Sequence, residues 1–163
     1  MSVIGSDVSD RSALNREPIS LVVTTLNNAA TLDKCLGSAS FADELLLVDS
    51  GSTDATLQIA AARGCRILHK PFAGYGPQKQ WAIEQASHRY VLLLDADEWV
   101  PDDCRAEIVA LLQRIGRGET ALAGYRLPRR ELIFWQYQHR AARLNTYLRL
   151  LDRTRFRMSV STV

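Results

Sequence analysis

The stretch Tyr90-Val91-Leu92-Leu93-Leu94-Asp95-Ala96-Asp97-Glu98 constrains the fold more than any other. An apolar run of that length, stopped abruptly by charge, reads as a strand buried on both faces. Such strands belong to sheets covered by helices on each side. The carboxylates of Asp95, Asp97 and Glu98 then emerge at the carboxyl end of a central strand, the edge along which open α/β sheets bind ligands. Acids grouped there are costly unless a cation neutralises them. Mg²⁺ or Mn²⁺ prefers carboxylate oxygens and reaches substrate phosphates at the same time. A solvated acidic turn leading into a helix is the plainer alternative. The buried strand before it favours a metal–phosphate site.

Alternation along the chain supports the same sheet. Residues 19–25 form a β-branched strand, after which Leu32, Cys35, Leu36 and Ala39 recur at helical spacing. A second strand covers 44–48 and ends at Asp49. Ser52 and Thr53 are natural caps for a helix over 54–62, which Gly64 stops. Residues 66–69 are a short third strand, and Gly74-Tyr75-Gly76-Pro77 a turn with Pro77 as first residue of a helix over 78–86. The strand at 90–94 is followed by a helix over 102–115. Strand and helix in alternation predict an α/β fold, a mostly parallel sheet with helices on both faces. Beyond Thr120 the pattern weakens. Residues 124–127 suit a strand, and 133–151 are aromatic and basic with only partial periodicity.

Charge is unevenly placed. The net charge is +2, yet residues 124–163 hold nine arginines against Glu131 and Asp152, so the remainder is net acidic. The three cysteines, Cys35, Cys65 and Cys104, are widely spaced with no Cys-x-x-Cys pair. That argues against a disulfide framework or a zinc site and fits a reducing cytoplasm. Residues 1–17 form a short polar leader without the basic start and apolar core of a secretory signal. No stretch reaches the roughly 18 apolar residues of a membrane-spanning helix.

Three motifs carry the chemistry. Asp49-Ser50-Gly51-Ser52-Thr53-Asp54 sits at the end of the second strand, on the same sheet edge as Asp95. Gly51 permits a tight turn, and the hydroxyls cap the next helix or bind a ligand. Asp49 is placed to accept hydrogen bonds from a base or ribose. The first strand runs into Thr25-Leu26-Asn27-Asn28, not into Gly-x-Gly-x-x-Gly, which argues against a dinucleotide fold. Those small polar side chains, Thr25 and Asn27 among them, could line a nucleoside pocket. Gly74-Tyr75-Gly76-Pro77-Gln78-Lys79 sets a lysine at a helix amino terminus, where N–H groups and the dipole favour an anion such as a diphosphate. A solvated helix lysine is the alternative.

Together, residues 48–54, 74–79 and 94–99 resemble family-2 glycosyltransferases of the GT-A fold, in particular the branch that adds glucose to the lipopolysaccharide inner core. The resemblance runs from about Ile19 to the last residue. It implies a serine-rich motif on the nucleoside and an Asp-x-Asp motif that holds Mg²⁺ or Mn²⁺ on the donor diphosphate. By position, the nucleotide-sugar would meet Thr25, Asn27, Asp49, Ser50, Gly51, Lys79, Asp95 and Ala96, and the metal Asp97 and Asp95. Residues 18–123 then form the nucleotide-sugar-binding part and 124–163 the start of an acceptor side. Two departures stand out. Gln80 occupies a position where many relatives have Asn. The segment 148–153 resembles one shortly before a Val-His-Glu whose acid is the expected general base, so the chain resembles a catalytic domain cut short. Within the sequence, Glu98 and Asp97 are the carboxylates near enough to serve as the base.

The resemblance implies transfer of a sugar, with inversion, from a nucleotide-diphosphate donor (a UDP-sugar) to a glycolipid or polysaccharide acceptor of the cell envelope. The location implied is cytoplasmic, at the inner face of the inner membrane. The arginines of 124–163, interleaved with Tyr125, Phe134, Trp135, Tyr137, Tyr147 and Phe156, suit an anionic headgroup layer. No nucleic-acid-binding motif accompanies them. Two rivals remain: a nucleotidyltransferase, which also places a carboxylate-bound metal on such a sheet, and a nucleotide-binding fragment without turnover. A phosphatase using Asp-x-Asp needs its nucleophile after the first core strand, whereas Asp95 follows the fourth.

Overall fold

Seven residues, Ile19–Thr25, form β1 and run unbroken through the middle of the sheet. The computed structural model describes residues 15–133, 136–138 and 144–158. After β1 come α1 (Leu32–Ser38), β2 (Glu44–Asp49), α2 (Thr56–Ala62), β3 (Arg66–His69), α3 (Tyr75–Glu84), β4 (Tyr90–Asp95) and α4 (Asp102–Gly116). Then follow β5 (Gly124–Arg129), the two-residue strands β6 (Leu132–Ile133) and β7 (Gln136–Tyr137), and β8 (Asn145–Asp152). The main sheet has the order β3-β2-β1-β4-β8-β5, and β6 and β7 pair separately. β1 is parallel to β2 and to β4, and β2 is parallel to β3. β8 runs antiparallel to both β4 and β5.

Period-two alternation sorts each strand between two cores. Ile19, Leu21, Val23, Leu47, Leu92 and Leu94 face Leu32, Cys35, Leu36, Ala60, Ile108 and Leu112 from α1, α2 and α4. Val22, Leu46, Val48, Val91 and Leu93 face Ala82, Ile83 and Ala86 on the α3 side. Both faces of β4 are therefore buried, as its uniform apolar run requires. The cysteines are free, and burial pushes the Cys35 thiol up to about 12 and that of Cys65 to about 11.

Several boundaries differ from the sequence reading. α2 starts at Thr56, because Ser52 turns back to Asp49 and the Asp54 carboxylate accepts from Thr56 N at 2.9 Å. α3 starts at Tyr75 and ends at Glu84, with Pro77 in its first turn. A proline is tolerated there because the first four N–H groups of a helix have no partner within it. The basic segment after Thr120 contributes β5, where the sequence suited a strand at 124–127, and β8, where its periodicity was only partial, to the main sheet. Its antiparallel course departs from the period of the parallel half. The end of the polar leader is tied down: Arg16 bonds Asp43 at 2.9 Å and the Phe41 carbonyl, and Glu17 N donates to Leu112 O. Among the described residues no helix is long and apolar enough to cross a membrane.

Candidate functional site

β1 lies between β2, reached through α1, and β4, reached by a crossover through α3. The chain thus changes direction across the sheet at β1, and a crevice opens at the carboxyl ends of the flanking strands. A cavity of about 490 Å³ occupies it. Thr24, Thr25, Leu26 and Asn28 line it from β1, Ser50 from β2, Phe72, Tyr75, Gln78 and Lys79 from the α3 side, Asp95, Ala96 and Asp97 from β4, and Arg129 from β5. A larger cavity of about 580 Å³ lies at the opposite, amino edge. Its acids are already engaged, Glu44 by Ser20, Ser87 and Arg66 and Asp43 by Arg16 and Ile19 N, so it offers structure more than chemistry.

An ion-pair chain links three residues that line the first cavity, Lys79, Asp95 and Arg129. Lys79 Nζ sits 2.5 Å from Asp95 Oδ1, and Arg149 Nη2 3.1 Å from Asp95 Oδ2. The same guanidinium nitrogen is 2.6 Å from Glu98 Oε1, which Arg129 also approaches at 3.4 Å. Arg129 donates further to Glu131 at 2.8 Å and lies over the Tyr147 ring. Glu98 Oε2 accepts from Asp95 N at 3.0 Å, closing the turn after β4. Burial pushes the Asp95 carboxyl up, but Lys79 and Arg149 outweigh it and hold it below the usual carboxylate range. The cations that neutralise Asp95 are therefore side chains.

Glu98 is corrected as a candidate base. Its Oε1 accepts from Arg149 at 2.6 Å and its Oε2 from Asp95 N at 3.0 Å, so both oxygens are spent on the turn, and Glu98 is not among the residues that line the cavity. Asp97 differs from its neighbours. It is exposed in the cavity and makes no ion pair among the described residues.

The serine-rich turn also has more structural work than its sequence reveals. Asp49 is 2 % exposed, and its carboxylate accepts from Gly51 N at 2.8 Å, Ser52 N at 3.0 Å and Ser52 Oγ. Burial raises its pKa, and these bonds from Ser52 and Gly51 lower it further than that. Gly51 has φ 113°, a conformation L side chains rarely adopt. Asn27, at φ 54°, accepts from Thr53 N at 2.8 Å while its own N donates to Ser52 Oγ. Asp49, Gly51 and Asn27 thus lock two loops together and do not line the cavity, whereas Thr25, Ser50, Lys79, Asp95, Ala96 and Asp97 do. Gln80 faces away from it, accepting from Met158 N and donating to Glu84.

Arg149, Arg129 and Gln78 are residues that sequence reasoning missed. The two arginines were legible only as members of a basic run, and nothing in that run marks which of them β8 and β5 turn inward. Gln78 lay inside the Gly74–Lys79 motif, read for its glycine and lysine. It is 2 % exposed, donating to Ser50 Oγ at 3.1 Å and Lys70 O at 3.2 Å, while its Oε1 has no partner among the described residues. A buried acceptor left so costs about 1–3 kcal/mol.

The donor set fits a hard cation only with help from a ligand. No group of three or more His, Cys, Asp or Glu converges to hold a metal among the described residues. Mg²⁺-type ions commonly take one or two protein carboxylates and complete their shell with phosphates and water. Asp97 meets that description.

The sequence profile described as Glycosyl transferase family 2 matches residues 20–160. Over 150 residues the chain is 34% identical to LpsC, a lipopolysaccharide core biosynthesis glycosyltransferase of Rhizobium meliloti (strain 1021), covering 88% of this chain and 54% of that protein. It thus spans about half the length of that relative. Among solved structures it is similar to the glucosyl-3-phosphoglycerate synthase of Mycobacterium tuberculosis in complex with Mn²⁺, uridine diphosphate and phosphoglyceric acid. There the TM-score is 0.51 at 28% identity, covering 68% of this chain and 45% of that one. It is also similar to S. aureus TarS 1–349, with a TM-score of 0.50 at 25% identity, covering 60% of this chain and 32% of that one.

Proposed function

The chain belongs to glycosyl transferase family 2, and from that premise we propose that it moves a sugar from a UDP-sugar donor to a glycolipid or polysaccharide acceptor in lipopolysaccharide or other cell-envelope synthesis. The observation that carries this reading is the mixed charge at the cavity where the chain changes direction across the sheet: Lys79, Asp95 and Arg129 line it and are tied through Arg149 and Glu98, beside Asp97, which makes no ion pair among the described residues. A diphosphate leaving group gains negative charge as the glycosidic bond breaks, and fixed cations in a recessed site stabilise that charge. Lys79, one turn into α3, stands where the helix amino terminus adds its own positive potential.

Asp97 would hold Mg²⁺ or Mn²⁺, which when bound supplies further Lewis-acid stabilisation of the diphosphate. The relative solved with Mn²⁺ and uridine diphosphate supports that choice of metal and nucleotide. Asp95 keeps Lys79 and Arg149 in place, and Glu98 positions Arg149. The exposed arginines of the C-terminal segment, Arg126, Arg130, Arg155 and Arg157, leave a basic surface suited to an anionic acceptor or to the cytoplasmic face of a membrane.

The test uses the purified chain with UDP-glucose and Mn²⁺, following both binding by calorimetry and release of UDP. Asp97→Ala should abolish the metal-dependent part of the affinity and shift stability by less than about 0.5 kcal/mol, because the side chain is exposed and makes no ion pair among the described residues. Metal dependence unchanged in Asp97→Ala would overturn the assignment. Binding without release of UDP would favour the rival reading, a nucleotide-binding unit without turnover, which the engagement of Glu98 in ion pairs supports.

A further inference from the structure

We propose that Arg149 makes entry of the divalent ion conditional on the nucleotide. Set on a β-bulge of β8, it occupies Asp95 and Glu98, so that Asp97 is left as the one carboxylate of the turn open to an ion. One carboxylate is too few to hold the ion without the diphosphate. This rests on the nucleotide-sugar reading above and adds to it the side chain that orders the two bindings.

The bulge is written in the register of β8. Tyr125 pairs with Leu150 and Arg126 with Leu148, so Arg149 is the extra residue, with no partner on β5. Pairing with β4 stops at Leu150, opposite Leu92. Packing shows the same break. Leu148 and Leu150, two apart, would share a face in a regular strand, yet Leu150 lies in the core of α1, α2 and α4, and Leu148 packs against the core of α3. A regular strand would also send position 149 to the face of Leu151, into that second apolar core. The extra residue re-aims the side chain, as bulges do. Its guanidinium passes the Tyr147 ring, 5.6 Å from the centroid, and reaches the end of β4.

One nitrogen, Nη2, stands 3.1 Å from Asp95 Oδ2 and 2.6 Å from Glu98 Oε1. It sits where a single cation touches both acids. The turn between them is closed on itself, with Glu98 N donating to Asp95 O at 2.9 Å and Asp95 N to Glu98 Oε2 at 3.0 Å. Asp95, Asp97 and Glu98 are three carboxylates on one short turn, and the number of charged oxygen ligands sets how tightly a hard cation is held. Arg149 takes two of the three. A guanidinium stays charged at any working pH, and it repels a second cation from the oxygens it holds. Lys79 on Asp95 Oδ1 adds to that repulsion until a diphosphate draws on its charge. The nucleotide then brings the missing oxygens beside Asp97, and Arg149 keeps its place.

The experiment titrates the 163-residue chain with Mn²⁺, with and without UDP, and follows free Mn²⁺ by electron paramagnetic resonance. Arg149→Met, Arg149→Lys and the double variant Arg149→Met with Glu98→Gln are titrated beside it. In the wild type, Mn²⁺ alone should bind about tenfold or more weakly than Mn²⁺ with UDP. In Arg149→Met, Mn²⁺ alone should bind about tenfold or more tighter than in the wild type, since two acids are freed and a repelling charge is gone. A merely structural role for Arg149 yields no such gain. Adding Glu98→Gln should take part of it back. Should Arg149→Met melt early, Arg149→Lys carries the comparison, because one ammonium holds the two acids less completely and a smaller gain of the same sign follows. Folded variants that bind Mn²⁺ alone no tighter than the wild type overturn the inference and leave the donor reading standing, as does a wild type that binds Mn²⁺ equally with and without UDP. A wild type that binds Mn²⁺ in neither case overturns both.

Discussion

Replacing Arg149 by Met should destabilise the protein far more than the loss of a typical surface arginine. The guanidinium is the shared partner of two acids: its side chain is 11% exposed, Glu98's 14% and Asp95's 33%. Without it, among the described residues, Glu98 Oε1 keeps only the cation Arg129 at 3.4 Å, and Asp95 only Lys79. Removing one member of a buried pair costs about 3–5 kcal/mol when the other is left uncompensated. Each acid here retains one cation, and Asp95 is partly solvated, so about 2–3 kcal/mol is the working value. For a chain of this size that lowers Tm by about 4–12 °C. Thermal and urea unfolding measure it, with Arg155→Met as control, since Arg155 is exposed and among the described residues its side chain bonds only the Ala121 carbonyl. A double variant with Glu98→Gln should lose less than the two single changes summed, because the acid left behind is neutral. A Tm for Arg149→Met within about 2 °C of the Arg155→Met control would refute the claim that this network is desolvated and mutually dependent.

Three further outcomes follow from the geometry. Burial pushes the Glu44 carboxyl up, but Ser20, Ser87 and Arg66 bring it down to about 2 from 4.5; its contribution is complete above pH 4.5 and disappears as pH falls towards 2. Glu44→Gln should therefore flatten the acid limb of the stability profile between those values, and an unchanged slope would remove Glu44 from the account. Asp49→Asn turns an amide towards N–H donors and should cost about 1–3 kcal/mol. UDP and pyrophosphate binding should weaken together, since the turn moves as a unit; loss of UDP alone would mean that Asp49 touches the nucleoside directly. Gly116→Ala places a Cβ 2.8 Å from the Asn15 carbonyl oxygen and 3.1 Å from Arg16 Cα. Backbone cannot yield as a flexible side chain does, so a cost of about 1–3 kcal/mol should exceed the gain of up to about 1 kcal/mol in helix propensity. A variant with raised Tm would show that residues 15–17 move aside freely.

The parallel half of this protein was legible in its sequence because each signal there is local. β4 announces itself as an uninterrupted apolar run, β1 as a β-branched one, and Gly51 and Gly74 mark the turns where φ is positive. The carboxyl-edge position of Asp95, Asp97 and Lys79 follows from strand order alone. What the tertiary structure decided is which charges meet. Asp49 reads in sequence as a free ligand-binding acid, yet it spends both oxygens on the turn two and three residues ahead. Asp95 and Glu98 are balanced by Arg149, 54 and 51 residues away in sequence, on a strand antiparallel to β4. No periodicity encodes such a pairing. It arises when β8 docks in register beside β4, and burial then makes the encounter of opposite charges worth far more than it would be in water.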